Sequence, residues 1–296
     1  MITIRTALKF SFACPRPHFC YKNRVYLQYY GLTAAPFDLT PNPRFLFYTA
    51  KHREAFNHLL YGIQQRKGFV QLTGEVGAGK TTLCRALMEQ LDHGTFATAL
   101  ILNPVLDAEQ LMKAIAMEFG LKVKGLDRLE TVALINEFLL EQVGNNRDCL
   151  LIIDEAQDLT DDLLEQVRLL SNLETDSRKL LQIVLMGQPE LRERLNQHKL
   201  RQLRQRITVR FHLRPLSQSE LSQYVRHRLA VSGANGAPYF TTPALWRIYN
   251  YSGGVPRLVN ALCDKALLAG FVQQSDKINF SMIGRAIREL EGDIHV

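Results

Sequence analysis

Between Gly68 and Leu213 short apolar runs alternate with longer stretches of helical periodicity. GFVQLTG (68–74), TALILN (98–103), CLLIIDE (149–155), LLQIVLMG (180–187) and ITVRFHL (207–213) have the length of strands. The third is apolar without interruption until its acidic end, as expected of a strand buried on both faces. Apolar residues recur every three to four positions over 107–119, 128–143 and 161–173, which predicts helices. Such alternation predicts an α/β fold with a parallel, doubly wound, five-stranded sheet. After Pro215 the strand pattern stops. Residues 217–232, 242–250, 256–270 and 281–290 all read as helices. The change of pattern divides the chain into a core over 25–214 and a small all-helical domain over 215–296.

Residues 1–24 fit neither pattern. They hold five basic residues, no acid, and Pro15 and Pro17. The expectation is a basic leader that is disordered or not translated. In the second case the native start is Val25, with a GTG initiation codon read as valine. The apolar stretch of this leader is broken by Lys9 and stops at Pro15, which argues against a secretion signal.

Composition narrows the class. Of 296 residues, 46% are hydrophobic and 22% charged, the balance of a globular chain. The five cysteines form no C-x2-C pair, so neither a metal framework nor a disulfide framework is expected, and a reducing compartment fits. No apolar run reaches the roughly 20 residues that span a bilayer. The net charge of +7 is unevenly placed. Residues 1–24 contribute +5, residues 190–230 hold ten basic residues against three acidic ones, and the remainder is net −5. The basic excess is therefore two local features on a mildly acidic body.

One motif carries chemistry directly. GEVGAGKT (74–81) matches G-x-x-x-x-G-K-[ST], with a strand before it and the helical TTLCRALMEQL after it. The expected phosphate cradle is Gly74, Glu75, Val76, Gly77, Ala78, Gly79, Lys80, Thr81 and Thr82. Its glycines let backbone N–H groups turn toward phosphate oxygens, and the helix N-terminus adds partial positive charge. Lys80 is expected at the β- and γ-phosphates, and Thr81 at Mg²⁺. CLLIIDE supplies the matching carboxylates: Asp154 as the second Mg²⁺ residue and Glu155 as the base that polarises water. ATP and Mg²⁺ are the cofactors expected.

Four further features resemble the AAA+ ATPases. Gln188, at the tip of LLQIVLMGQPEL, matches the sensor 1 position, which contacts the γ-phosphate and water. Arg201, Arg204 and Arg206, just before the fifth strand, match the place of an arginine finger acting on a neighbour's ATP; Arg206 is the first choice, Arg204 the second. SGGVPRLVNALCDKALLAG (252–270) looks like the sensor 2 motif, with Arg257 in the first turn of its helix. The aromatic and Pro-rich stretch 30–63 resembles the segment that covers the adenine.

YYGL, TPNPRFLF, HREAFNHLLYGI, IIDEAQ, RLLSNLE, GQPELRERL, LRQRITVRFHLRPL and GGVPRLVNALCDKALLAG together resemble the ExeA/GspA family over about residues 26–290. The resemblance implies a P-loop AAA+ core with a helical lid, ATP bound between them, and a homo-oligomer built as a ring or filament. It also implies work on assembly or remodelling of a cell-envelope system for secretion, pili or exopolysaccharide export. ExeA continues into a membrane span and a peptidoglycan-binding domain. This sequence ends soon after the lid, so the expected location is cytoplasmic, with any attachment to the inner membrane made through a partner. The same core is similar to the TniB/TnsC transposition ATPases, which makes DNA the alternative and less favoured partner. The basic 190–230 region then belongs first to an inter-subunit face.

Overall fold

The computed structural model describes residues 26–40, 42–92, 94–174 and 179–292. The basic leader and the proposed start at Val25 lie outside the described residues.

All five expected strands form: β1 Phe69–Gly74, β2 Phe96–Ile101, β3 Asp148–Ile153, β4 Leu181–Gly187 and β5 Ile207–Leu213. They make one parallel sheet in the order β2-β3-β4-β1-β5. This order gathers the C-terminal ends of β1, β4 and β3. Thr73 lies opposite Gly187, and Ile153 opposite Leu185. The turns after these strands, at Gly74, Asp154 and Gln188, therefore share one edge, where open α/β sheets bind ligands.

Alternation along the strands divides the core into two layers. Val70, Leu72, Leu150, Ile152, Val184 and Met186 face helices α1 (Ala50–Gln64) and α2 (Lys80–Gln90). Phe69, Leu151, Ile153, Ile183 and Leu185 face the other side. There they meet α3 (Ala108–Glu118), α4 (Arg128–Gly144), α5 (Asp161–Leu170), α6 (Pro189–Leu195) and α7 (Arg201–Arg206). Local chemistry sets two of these starts. Asp107 with Gln110 and Asp127 with Glu130 form reciprocal capping boxes before α3 and α4, each cap worth about 1 kcal/mol.

A second cluster holds α8 (Gln218–Val231), α9 (Thr242–Ser252), α10 (Pro256–Val272) and α11 (Phe280–Glu291). The four expected helices are present. One feature adds to the helical reading: Tyr239–Phe240 and Lys277–Ile278 pair as two short parallel strands. Tyr26, Tyr30, Leu32 and Phe37 also pack in this cluster, although they precede the sheet in sequence. The Tyr26 hydroxyl donates to Asp264 Oδ1 at 2.6 Å, and the Thr33 N–H to Ser232 O at 2.8 Å. The chain thus starts among the helices before it enters the sheet.

The segment leaving β5 is clamped to the turn before α10. Leu216 N–H donates to Gly254 O at 3.0 Å. Gly254 has φ +79°, and a Cβ there would meet Leu216 O at 1.9 Å. The obstacle is backbone, so no rotamer change relieves it. Gly254→Ala is expected to destabilise the fold by about 2–5 kcal/mol, read as a lowered thermal unfolding midpoint. A midpoint unchanged from the native protein would contradict this packing.

Candidate nucleotide-binding site

The loop between β1 and α2 curls because its glycines take left-handed backbone. Gly77 has φ +77°, and Gly79, which caps α2, has φ +98°. Ala78 N–H closes a turn on Glu75 O at 3.0 Å. Lys80 starts α2 and is only 5% exposed. Its ammonium donates to Gly74 O at 2.8 Å and Glu75 O at 3.1 Å. Burial pulls the Lys80 pKa down, and the nearby Glu155 and Asp154 carboxylates pull it back up.

Thr81 follows on α2 and meets the end of β3. Its hydroxyl donates to Asp154 Oδ2 at 2.5 Å. Burial raises the Asp154 pKa, opposed by the hydrogen bonds from Thr81 and from the Glu155 N–H, the latter 2.9 Å from Oδ1. A hard-oxygen pair beside a phosphate loop suits Mg²⁺, which keeps waters and takes one or two protein ligands plus phosphate oxygens. No group of three or more His, Cys, Asp or Glu residues suited to a metal occurs among the described residues. The Thr81–Asp154 pair supplies two protein oxygens, a set that phosphate and water would complete around Mg²⁺.

Glu155 stands in left-handed backbone, φ 51°, uncommon for a residue with a side chain. Two amides hold its carboxylate. Gln157 Nε2 donates to Oε2 at 2.9 Å, and Gln188 Nε2 donates to the same oxygen at 3.3 Å. Gln157 Oε1 in turn accepts from Gln188 N–H at 3.1 Å. The turn is braced from α6, where Arg194 Nη1 donates to Gln157 O at 2.6 Å and Leu159 O at 2.7 Å. The structure thus joins Gln188 to Glu155 through a residue that sequence reasoning gave no role. Gln157 sits inside the IIDEAQ motif, but its part depends on the neighbouring strand.

A cavity of about 360 Å³ opens beside the loop, a volume suited to a small ligand. Its far wall holds Phe45, Phe47, Arg228 and Asn260, and the Pro-rich stretch supplies both phenylalanines. Arg228 is 6% exposed; its Nη1 donates to the Tyr224 hydroxyl at 2.8 Å and its guanidinium lies over the Phe45 ring. Tyr224 donates on to Asn260 Oδ1 at 2.8 Å. His52 reaches the loop from α1; its Nδ1 lies 2.8 Å from Thr49 Oγ1, and burial lowers its pKa. Neither Arg228 nor His52 stood out in sequence, because a lone basic residue on a helix carries no signal of its surroundings.

Arg257 arrives from the helical cluster. Its N–H donates to Gly77 O at 3.3 Å, and a Cβ on Gly77 would lie 2.3 Å from Arg257 Cβ. Gly77 thus admits this helix as well as curving the loop. The Arg257 side chain lines the cavity in the first turn of α10, where a cation opposes the helix dipole unless an anion answers it.

Arg201, Arg204 and Arg206 lie elsewhere. They precede β5, whose first residue Ile207 is opposite Phe69, whereas the phosphate loop follows Gly74, opposite Leu213. The strand between the two levels is roughly 17 Å long. None of the three lines the chain's own cavity. Arg206 is half-buried and its Nη1 donates to Ser171 Oγ at 2.7 Å; Arg201 and Arg204 are exposed.

Parallel order, phosphate loop and helical cluster together define a P-loop nucleotide-binding module of the AAA class. The family model "AAA domain" matches residues 63–195. General secretion pathway protein A of Aeromonas hydrophila is 48% identical over 271 residues, which cover 90% of this chain and 49% of that protein. The chain spans about half the length of this curated relative. Among solved structures, the ORC2 protein of Aeropyrum pernix superposes with a TM-score of 0.64 at 18% identity, covering 88% of this chain and 72% of that one. Cdc6p of Pyrobaculum aerophilum gives 0.64 at 18%, covering 86% and 70%. At such identities the two structures show the fold. The chain carries an AAA domain and is ExeA/GspA-like over 90% of its length. No helix among the described residues is long and apolar enough to cross a membrane.

Proposed function

We propose that this protein is a Mg²⁺-dependent ATP hydrolase whose turnover drives assembly or remodelling of a cell-envelope system of the secretion type. The observation that carries the reading is the convergence of Lys80, the Thr81–Asp154 pair and the Glu155–Gln188 pair on one edge of the sheet. The named work of the Aeromonas relative, at 48% identity, favours secretion over the transposition alternative.

The residues divide the work as follows. Lys80 leaves the Gly74 and Glu75 carbonyls for the β- and γ-phosphates, while the amides of residues 74–82 cradle them. Thr81 and Asp154 would hold Mg²⁺, which when bound would supply positive charge to the phosphate oxygens. Glu155 takes a proton from the attacking water, oriented by Gln157 and Gln188. Arg257 answers the γ-phosphate from the lid, and Arg206 or Arg204 serves a neighbouring subunit's nucleotide. The functional units are the core over 25–214 and the lid over 215–296, hinged near Pro215. The assembly is a homo-oligomeric ring or filament in the cytoplasm, brought to the inner membrane by a partner of the cell-envelope machinery.

Lys80→Ala tests the first step. Losing a charge-assisted contact to phosphate costs about 1.5–3 kcal/mol, so ATP affinity is expected to fall roughly 10- to 100-fold. Titration with a fluorescent ATP analogue reads this directly. Affinity equal to the native protein's would remove the phosphate loop from the mechanism.

A further inference from the structure

A second cavity, of about 330 Å³, opens on the other face of the sheet between β1, β5 and α6. The strand register builds its floor. Gln71 lies opposite Arg210 and Thr73 opposite His212, all four directed away from the α1–α2 layer. Arg192 from α6 and Arg204 from α7 complete the rim. No carboxylate lines this cavity. None of the three arginines takes part in a salt bridge among the described residues.

Two observations point to a ligand. Three exposed guanidiniums ring one cavity, and a bound anion would be attracted by all of them. Arg210 is held at the rim by its own neighbour, its Nη2 donating to Arg204 O at 2.5 Å. The second observation is independent of charge. Gln71 is 4% exposed, yet its amide makes no hydrogen bond among the described residues, and it lines the cavity. Its amide is left to meet solvent or a ligand at the cavity. The adjacent Thr73 hydroxyl is within 3.1 Å of His212 Nδ1, so the Thr–His pair is satisfied and Gln71 is the group that waits. Burial and the surrounding arginines hold His212 toward its neutral form, in which it can offer an N–H without adding charge.

We infer that this cavity is a second anion site, built to take a phosphoryl group between Arg192, Arg204 and Arg210 with Gln71 donating from below. Tetrahedral oxyanions suit it because several guanidinium forks and one amide can each meet a different oxygen. The phosphoryl group has two sources: a free phosphate-bearing small molecule, or the nucleotide of a second copy of this chain. For a free anion the inference goes beyond the hydrolytic reading, because it needs neither Glu155 nor an intact phosphate loop; for a neighbour's nucleotide it rests on that reading, which already turns Arg204 toward another copy.

The test is phosphate binding by calorimetry in the full chain carrying Lys80→Ala, which weakens the loop's own claim on phosphate. Inorganic phosphate is expected to bind, and both Gln71→Leu and Arg210→Met are expected to weaken it about 10-fold or more. Arg53→Met, on α1 across the sheet, serves as the control and is expected to change nothing. Circular dichroism confirms that each variant is folded, and Gln71→Glu offers a shape-conserving check that should also lose phosphate by repulsion. Binding that is absent, or the same in all variants, overturns the inference. ATP turnover of Gln71→Leu is read in parallel: phosphate binding lost with turnover retained supports a free anion, and the loss of both supports the neighbour's nucleotide. No phosphate binding with normal Lys80-dependent hydrolysis would sink this inference and leave the proposed function standing.

Discussion

Glu155→Gln is expected to bind ATP as the native protein does and to hydrolyse it about 10²–10⁴-fold more slowly. The substitution keeps size and shape. Its amide oxygen can still accept from Gln157 and Gln188, which donate to the native carboxylate at 2.9 and 3.3 Å. Geometry therefore survives while basicity is lost, and the variant separates the two. Gln157→Leu supplies the complement: the base remains but loses one of two orienting amides, and Gln188 N–H loses its acceptor. Single-turnover hydrolysis of labelled ATP, set beside equilibrium binding of a fluorescent analogue, reads both steps. Undiminished turnover in Glu155→Gln would mean that another group activates water.

Much of this site was legible because it is written in contiguous residues. Gly74 to Thr82 need only a strand before and a helix after, and both follow from local periodicity. The carboxylates Asp154 and Glu155 were legible because a wholly apolar strand, Leu150 to Ile153, ends on them. What escaped reading depends on which strand lies beside which. Gln157 acts on Gln188 across 31 residues of sequence, and only the β3–β4 pairing brings them together. Tyr26 and Phe37 pack with helices more than 180 residues later, a contact that no local pattern encodes. Gln71 reads as one polar position in an apolar strand; its meaning comes from Arg210 on the paired strand.

The arginines before β5 pose a geometric question that one experiment answers. None of the three lines the cavity beside the chain's own phosphate loop, so a catalytic part is expected toward another copy. Arg206→Ala subunits are expected to bind ATP normally and to turn it over about 10³–10⁵-fold more slowly as an oligomer. Lys80→Ala subunits are expected to be inactive for the opposite reason: their arginine is intact and their loop is not. An equal mixture contains interfaces where the sound loop of one subunit faces the sound arginine of the next. In a head-to-tail assembly these are about a quarter of all interfaces. Activity should return in proportion, although neither variant has it alone. Arg206 donates to Ser171 within its own chain, whereas Arg204 is exposed, so Arg204→Ala belongs in the same series. Rescue by the Arg204 variant alone would move the role to that residue. Absence of rescue in both mixtures, with both variants slow, would place the defect inside the subunit and remove the trans reading.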